Sequence, residues 1–175
     1  RSNRFERMFD GAHLFSDEEL APTENLDFHD NVILNCGDDG IETDGVGSNC
    51  RIYNNVFSNV LTGISVAPAA LGPTYILRNT ILDWRTVRSS EGEDGFFHGY
   101  PIKLNHAMRE SPWTSWGFLY QNTFRSEWPD VDGFQFSYYW YYWTNIVSRN
   151  NIFAGTRYAM QNVDDRCPID FDYDD

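Results

Sequence analysis

Apolar and polar residues alternate with a period of two along this chain, in short bursts separated by Asn, Gly and Asp, and the bursts recur. The recurring unit is an apolar residue, two more residues, Asn, one residue, then a second apolar residue. Its asparagines are Asn31, Asn55, Asn79, Asn122 and Asn151, with gaps of 24, 24, 43 and 29. Two positions after them stand Ile33, Phe57, Ile81, Phe124 and Phe153. Three positions before them stand Phe28, Ile52, Ile76 and Leu119, and the fifth copy has Ser148 there instead. A second alternating stretch follows each Asn: Gly40–Thr43, Gly63–Val66, Pro101–Leu104, Gly133–Phe136 and Tyr158–Gln161. Period two predicts strands rather than helices. Gly or Pro opens four of the five stretches, as expected at corners.

A period near 24 carrying short strands and tight turns predicts a solenoid. One coil cannot bury its inner face alone. Coils stacked about 4.8 Å apart pair their strands in parallel and close a long core. The repeated Asn then falls on one corner of every coil, where its side chains can bond along the stack and satisfy backbone groups that a turn leaves unpaired. This structural role outweighs a catalytic one. An antiparallel sandwich is the competing fold, but it gives no reason for one Asn to return in phase. No Asn is followed two positions later by Ser or Thr, so there is no N-glycosylation acceptor.

The runs Asn31–Gly45 (NVILNCGDDGIETDG), Asn49–Phe57 (NCRIYNNVF), Thr62–Pro68 and Gly72–Asn79 resemble right-handed parallel β-helix repeat proteins of the pectate-lyase-like superfamily. The resemblance covers residues 25–165. It implies an all-β right-handed parallel β-helix with aromatic-rich loop insertions. It also implies an extracellular or cell-surface setting and a polysaccharide partner, because the superfamily includes pectate and alginate lyases, polygalacturonase-like hydrolases and uronan epimerases, beside members with structural roles. Residues 1–24 are expected to be a lead-in segment or preceding partial coil. Residues 166–175 form an Asp-rich segment expected to continue beyond the chain, which would make the whole an internal segment of a longer solenoid. Its open ends would meet further coils or neighbouring subunits.

Two intervals exceed the basic period: Trp84–Gly99 and Ala107–Trp116. Solenoid insertions loop out of one face, either to bind or to cover. Tyr138–Trp143 is a run of six aromatics, which cannot all point inward on a strand. Aromatic platforms stack on sugar rings, so Trp113, Trp116, Tyr139, Trp140 and Tyr142 are candidate substrate-binding residues. A packed satellite cluster is the alternative.

Composition narrows the function further. The chain has 175 residues and a net charge of −13, which argues against unaided binding to nucleic acid. No apolar stretch is long enough for a spanning helix. Cys36, Cys50 and Cys167 are an odd number; buried thiols are expected, and a Cys36–Cys50 bridge is one further option. No pattern of Cys and His suggests structural zinc.

Aligning the second strands places Glu42, Ser65, Lys103, Gln135 and Met160 in one outward column. Glu42 and Lys103 then lie two coils apart, about 9–10 Å, too far for a direct ion pair. Asp38, Asp39, Glu42 and Asp44 crowd four carboxylates into seven residues, which raises pKa values or recruits a cation. Hard oxygen ligands suit Ca²⁺, with Asp39, Glu42 and Asp44 as candidate ligands. In β-elimination of a uronic-acid polymer, Lys103 would be base or charge stabiliser and His106 a general acid/base. In glycoside hydrolysis, Glu42, Asp44 or Asp132 would form the carboxylate pair. His13, His29 and His98 lack a surrounding motif. A rod-like structural module without a catalytic site is the alternative function.

Overall fold

In the computed structural model, residues 1–15, 22–66, 69–88, 95–103, 116–134, 145–161 and 169–175 are described. Among them the protein is all-β, without a helix, and almost every strand pairing is parallel. No helix among the described residues is long and apolar enough to cross a membrane.

The repeats lay their strands into three principal parallel sheets. The first contains, in spatial order, Arg4–Glu6, Val32–Leu34, Val56–Ser58, Thr80–Leu82, Thr123–Arg125 and Ile152–Ala154. The second contains Asp27–His29, Cys50–Tyr53, Thr74–Leu77, Gly117–Tyr120, Ile146–Arg149 and Ile169–Asp172. The third contains Asp39–Glu42, Thr62–Ser65 and Ile102–Lys103. A smaller parallel sheet joins Thr23–Glu24, Gly45–Ser48 and Ala69–Leu71. In the three repeats that begin at Asp27, Cys50 and Thr74 the chain passes from the second sheet to the first, then to the third. A strand thus pairs with its counterpart one repeat away, not with its sequence neighbour.

The predicted register is the observed one. Ile33, Phe57, Ile81, Phe124 and Phe153 are cross-strand partners along the first sheet, and all are buried. Ile52, Ile76 and Leu119 do the same in the second sheet, and Ile41, Ile64 and Ile102 in the third. Alternation sends every second side chain into one shared interior. Phe124, Phe134 and Phe153 pack there with ring centroids 5.0–6.3 Å apart.

The repeated asparagines form a continuous buried ladder. The backbone N and Nδ2 of Asn31 both donate to Asn55 Oδ1, at 3.0 Å each. The same two-donor arrangement links Asn55 to Asn79, Asn79 to Asn122 and Asn122 to Asn151. It also extends past the predicted copies: Asn3 donates to Asn31 Oδ1, and Asn151 donates to Asp174 Oδ1. Each ladder residue follows one in the left-handed conformation: Ser2, Asp30, Asn54, Arg78, Gln121, Asn150 and Tyr173. That conformation turns the chain between sheets and exposes the amide that the next ladder residue accepts. Ser148, which breaks the apolar pattern, is buried and accepts from Asn151 Nδ2 at 2.9 Å.

The cysteine option is corrected. Cys36 and Cys50 are buried free thiols at different corners, so no bridge joins them. Burial pushes both thiols up. Cys167 lies outside the described residues.

Candidate functional site

The third sheet carries most of the charged candidate residues. Each of its strands begins after a corner where Gly or Pro precedes the first inward residue. At Gly40 a Cβ would lie 2.6 Å from Gly63 O and 2.7 Å from Phe57 Cδ1. Gly40 therefore lets the corner approach the core while Asp39, just before it, stays beside the outward residues. The same dipeptide occurs one repeat earlier as Asp10-Gly11. Gly11 N donates to Asp39 O, and Asp39 N donates to Asp10 Oδ1 at 3.1 Å. The corner column thus reads Asp10, Asp39, Thr62, Tyr100, and by repeat position Asp132. Beside it runs the outward column His13, Glu42, Ser65 and Lys103, in parallel register.

Lys103 reaches back across two strands. Its Nζ lies 3.4 Å from Asp39 Oδ2, so its partner is Asp39 rather than Glu42. Asp39 is 2% exposed. Burial pushes its carboxyl up to about 7, with Lys103 opposing and Asp38 and Asp44 adding to the rise. Burial alone would lower the Lys103 ammonium, but Asp39, Asp44 and Asp38 outweigh it and hold Lys103 above its ordinary value. Burial also raises Asp38 and Glu42. Glu42 Oε2 sits 3.2 Å from His13 Nδ1. Ser65, fully buried, donates from Oγ to Asp44 Oδ1 at 2.6 Å.

One oxygen from each of Asp10, Asp38 and Asp39 lies within 4.8 Å of the others. Asp39 Oδ1 is buried with no hydrogen-bond partner. Buried polar atoms are nearly always paired, so a buried carboxylate with one orphaned oxygen, grouped with two further carboxylates, fits a hard divalent cation. The structure thus gathers Asp39 with Asp10 and Asp38. Glu42 and Asp44, grouped with Asp39 by sequence spacing, instead face His13 and Ser65.

The other candidates are more dispersed. Asp132 is three repeats along the same corner column, about 14 Å from Asp39 at the strand spacing, and is held by Arg157 through bonds of 2.9 and 2.6 Å. Trp116 is 49% exposed, but it leads into the second sheet. There it stacks on Phe118, which stacks on Tyr75. His106, Trp113, Tyr139, Trp140 and Tyr142 lie outside the described residues.

Asp10 and His13 are the residues that sequence reasoning missed. The available signal was the Asp10-Gly11 dipeptide, which repeats Asp39-Gly40. None of the family models, curated proteins or solved structures compared with the chain matches it.

Proposed function

We propose that this protein is a right-handed parallel β-helix that cleaves an extracellular, uronic-acid-containing polysaccharide by cation-dependent β-elimination, with its centre at Asp39 and Lys103. The recurrence of three parallel strand sets in one order over three successive repeats supports the β-helix, since parallel crossovers are almost always right-handed. The observation that carries the activity is the buried Asp39 carboxylate, clustered with Asp10 and Asp38: its Oδ1 has no hydrogen-bond partner and its Oδ2 lies 3.4 Å from Lys103 Nζ on the neighbouring column.

Asp10, Asp38 and Asp39 would hold calcium. Bound there, it would neutralise a substrate carboxylate and offset the negative field around Lys103. With that field offset, the neutral amine form of Lys103 would take the proton α to that carboxylate and become the ammonium. The electron pair left on carbon forms a double bond to the adjacent carbon, the glycosidic C–O bond breaks, and the departing oxygen takes a proton from solvent. His13 and Glu42 continue the outward column and offer hydrogen bonds to neighbouring sugars.

A panel of uronic-acid polysaccharides incubated with the protein and calcium tests this reading. The expected result is a product absorbing near the ultraviolet edge, abolished by chelator and by Lys103→Ala. New reducing ends without that absorbance would replace elimination by hydrolysis, for which a carboxyl raised by burial is also suited. No product and no binding would leave a structural module.

A further inference from the structure

Among the described residues of the long interval after Trp84, Thr86–Arg88 pairs antiparallel with Phe96–His98 as the two legs of a hairpin. Of its described residues Arg88, Phe96, Phe97 and His98 are exposed, and Thr86 and Val87 are half-buried. A segment whose sole task was to seal the interior would bury its aromatics.

The outgoing leg of the hairpin is bonded to the turn that leads to Asp38 and Asp39, and the returning leg is bonded to the outgoing one. On the outgoing leg, Arg85 donates from Nη1 to Asn59 O and Oδ1, and from Nη2 to Cys36 O at 3.1 Å. Cys36 lies two positions before Asp38. On the returning leg, Gly99 donates to Arg85 O at 3.0 Å, and a Cβ at Gly99 would overlap the carbonyl oxygens of Leu61 and Arg85. Leu61 precedes Thr62, whose N donates to Asp38 O. The base of the hairpin, at Arg85 and Gly99, therefore lies two strands, about 10 Å, from the strand that carries Asp39. Its returning leg continues through Tyr100 directly into the strand that carries Lys103.

One face of the hairpin combines charge with aromatic surface. The Arg88 guanidinium lies 5.8 Å from the centre of the Phe96 ring, and the Phe96 and His98 rings are 6.3 Å apart. Thr86 Oγ1 is 3.4 Å from His98 Nδ1 on the same face. A guanidinium pairs with a carboxylate in a fixed fork, and an aromatic ring covers the apolar C–H face of a sugar.

We infer that the Arg88/Phe96/His98 face of this hairpin is a binding subsite for a carboxylate-bearing sugar unit, set beside the reaction centre. It rests on the proposed action on uronic-acid polymers and adds a specificity element to it. A cation on an aromatic face is what an anionic polysaccharide needs from a protein of net charge −13.

The test is equilibrium binding of a short oligouronide, in calcium, to the full chain carrying Lys103→Ala, so that cleavage does not intervene. Adding Arg88→Ala or Phe96→Ala should each weaken binding about tenfold. Arg88→Lys should recover part of the loss, and a neutral oligosaccharide of equal length should bind poorly to all forms. In the cleavage-competent protein, Arg88→Ala should raise KM with little change in kcat. Unchanged affinity and KM in both variants, with cleavage intact, would overturn the subsite and leave the proposed reaction standing. Arg88-dependent binding without any elimination would do the reverse. Absence of both binding and cleavage would sink the two together. The hairpin's antiparallel pairing, monitored by amide hydrogen exchange, checks that the variants keep their fold.

Discussion

Two corners of the same repeat treat polar side chains in opposite ways. At the corner between the second and first sheets, the ladder asparagines follow one another and satisfy each other: each Oδ1 accepts two bonds, and Nδ2 of Asn79 donates to both Asn122 Oδ1 and Ile52 O. At the corner leading to the third sheet, the residue changes from Asp10 to Asp39 to Thr62 to Tyr100, and one buried oxygen of Asp39 is left without a partner. Where the repeat is uniform, polar groups are consumed internally and contribute stability. Where it varies, they are left over, and the leftover groups are available to a cation, a proton or a substrate.

The contrast can be broken most severely at the ladder. Asn79→Ala removes a side chain that accepts from Asn55 N and Nδ2, and strips Ile52 O of its amide donor. Several buried groups lose partners together, so the variant should lose about 4 kcal/mol or more in urea unfolding. A loss below about 1 kcal/mol would show that the ladder is not a main source of stability.

The variable corner should behave in the opposite sense. Folded Asp39 titrates at about 7, well above an ordinary aspartate, because it is buried. Between roughly pH 4 and 7 the folded chain keeps a proton that the unfolded chain releases. This group's contribution to stability is therefore complete below that window, falls as pH rises through it, and is level above pH 7. In chelator, Asp39→Asn should remove this fall, gaining up to a few kcal/mol on the wild type as pH rises from 4 to 7. Parallel curves for the two proteins would contradict the assignment.

The smallest effect sharpens the boundary between the two behaviours. Asp174 occupies the ladder position after Asn151, but its buried Oδ2 lacks a partner. An amide there would supply the donor that preceding ladder residues aim at a carbonyl three residues upstream in the neighbouring repeat. Asp174→Asn should stabilise by about 1 kcal/mol, read from the same unfolding curves. Destabilisation would mean that the carboxylate is specifically required.

Much of the first behaviour was legible in the sequence, because it depends on what recurs. Asn31, Asn55 and Asn79 return every 24 residues with apolar neighbours in phase, and a period-two pattern leaves one way to bury them. Asn3 escaped because the sequence holds only two positions before it, too few to show the pattern, and Asp174 because Asp is not Asn. The candidate site was less legible because its residues change from repeat to repeat. The outward Glu42/Ser65/Lys103 column followed from alternation, but a four-carbon lysine stem can lean two strands along the stack, and spacing does not give its direction. The Asp10–Asp39 approach joins residues 29 apart, in a repeat stretched beyond the basic period.

Calcium binding to the chelator-stripped wild type and to Asp39→Asn, followed by titration calorimetry, tests the central claim most directly. The cluster with its orphaned oxygen predicts one calcium per wild-type chain, with Kd on the order of 10⁻⁴ M, and loss of that binding in Asp39→Asn at unchanged strand content. No binding by the wild type, or equal binding by both proteins, would contradict it.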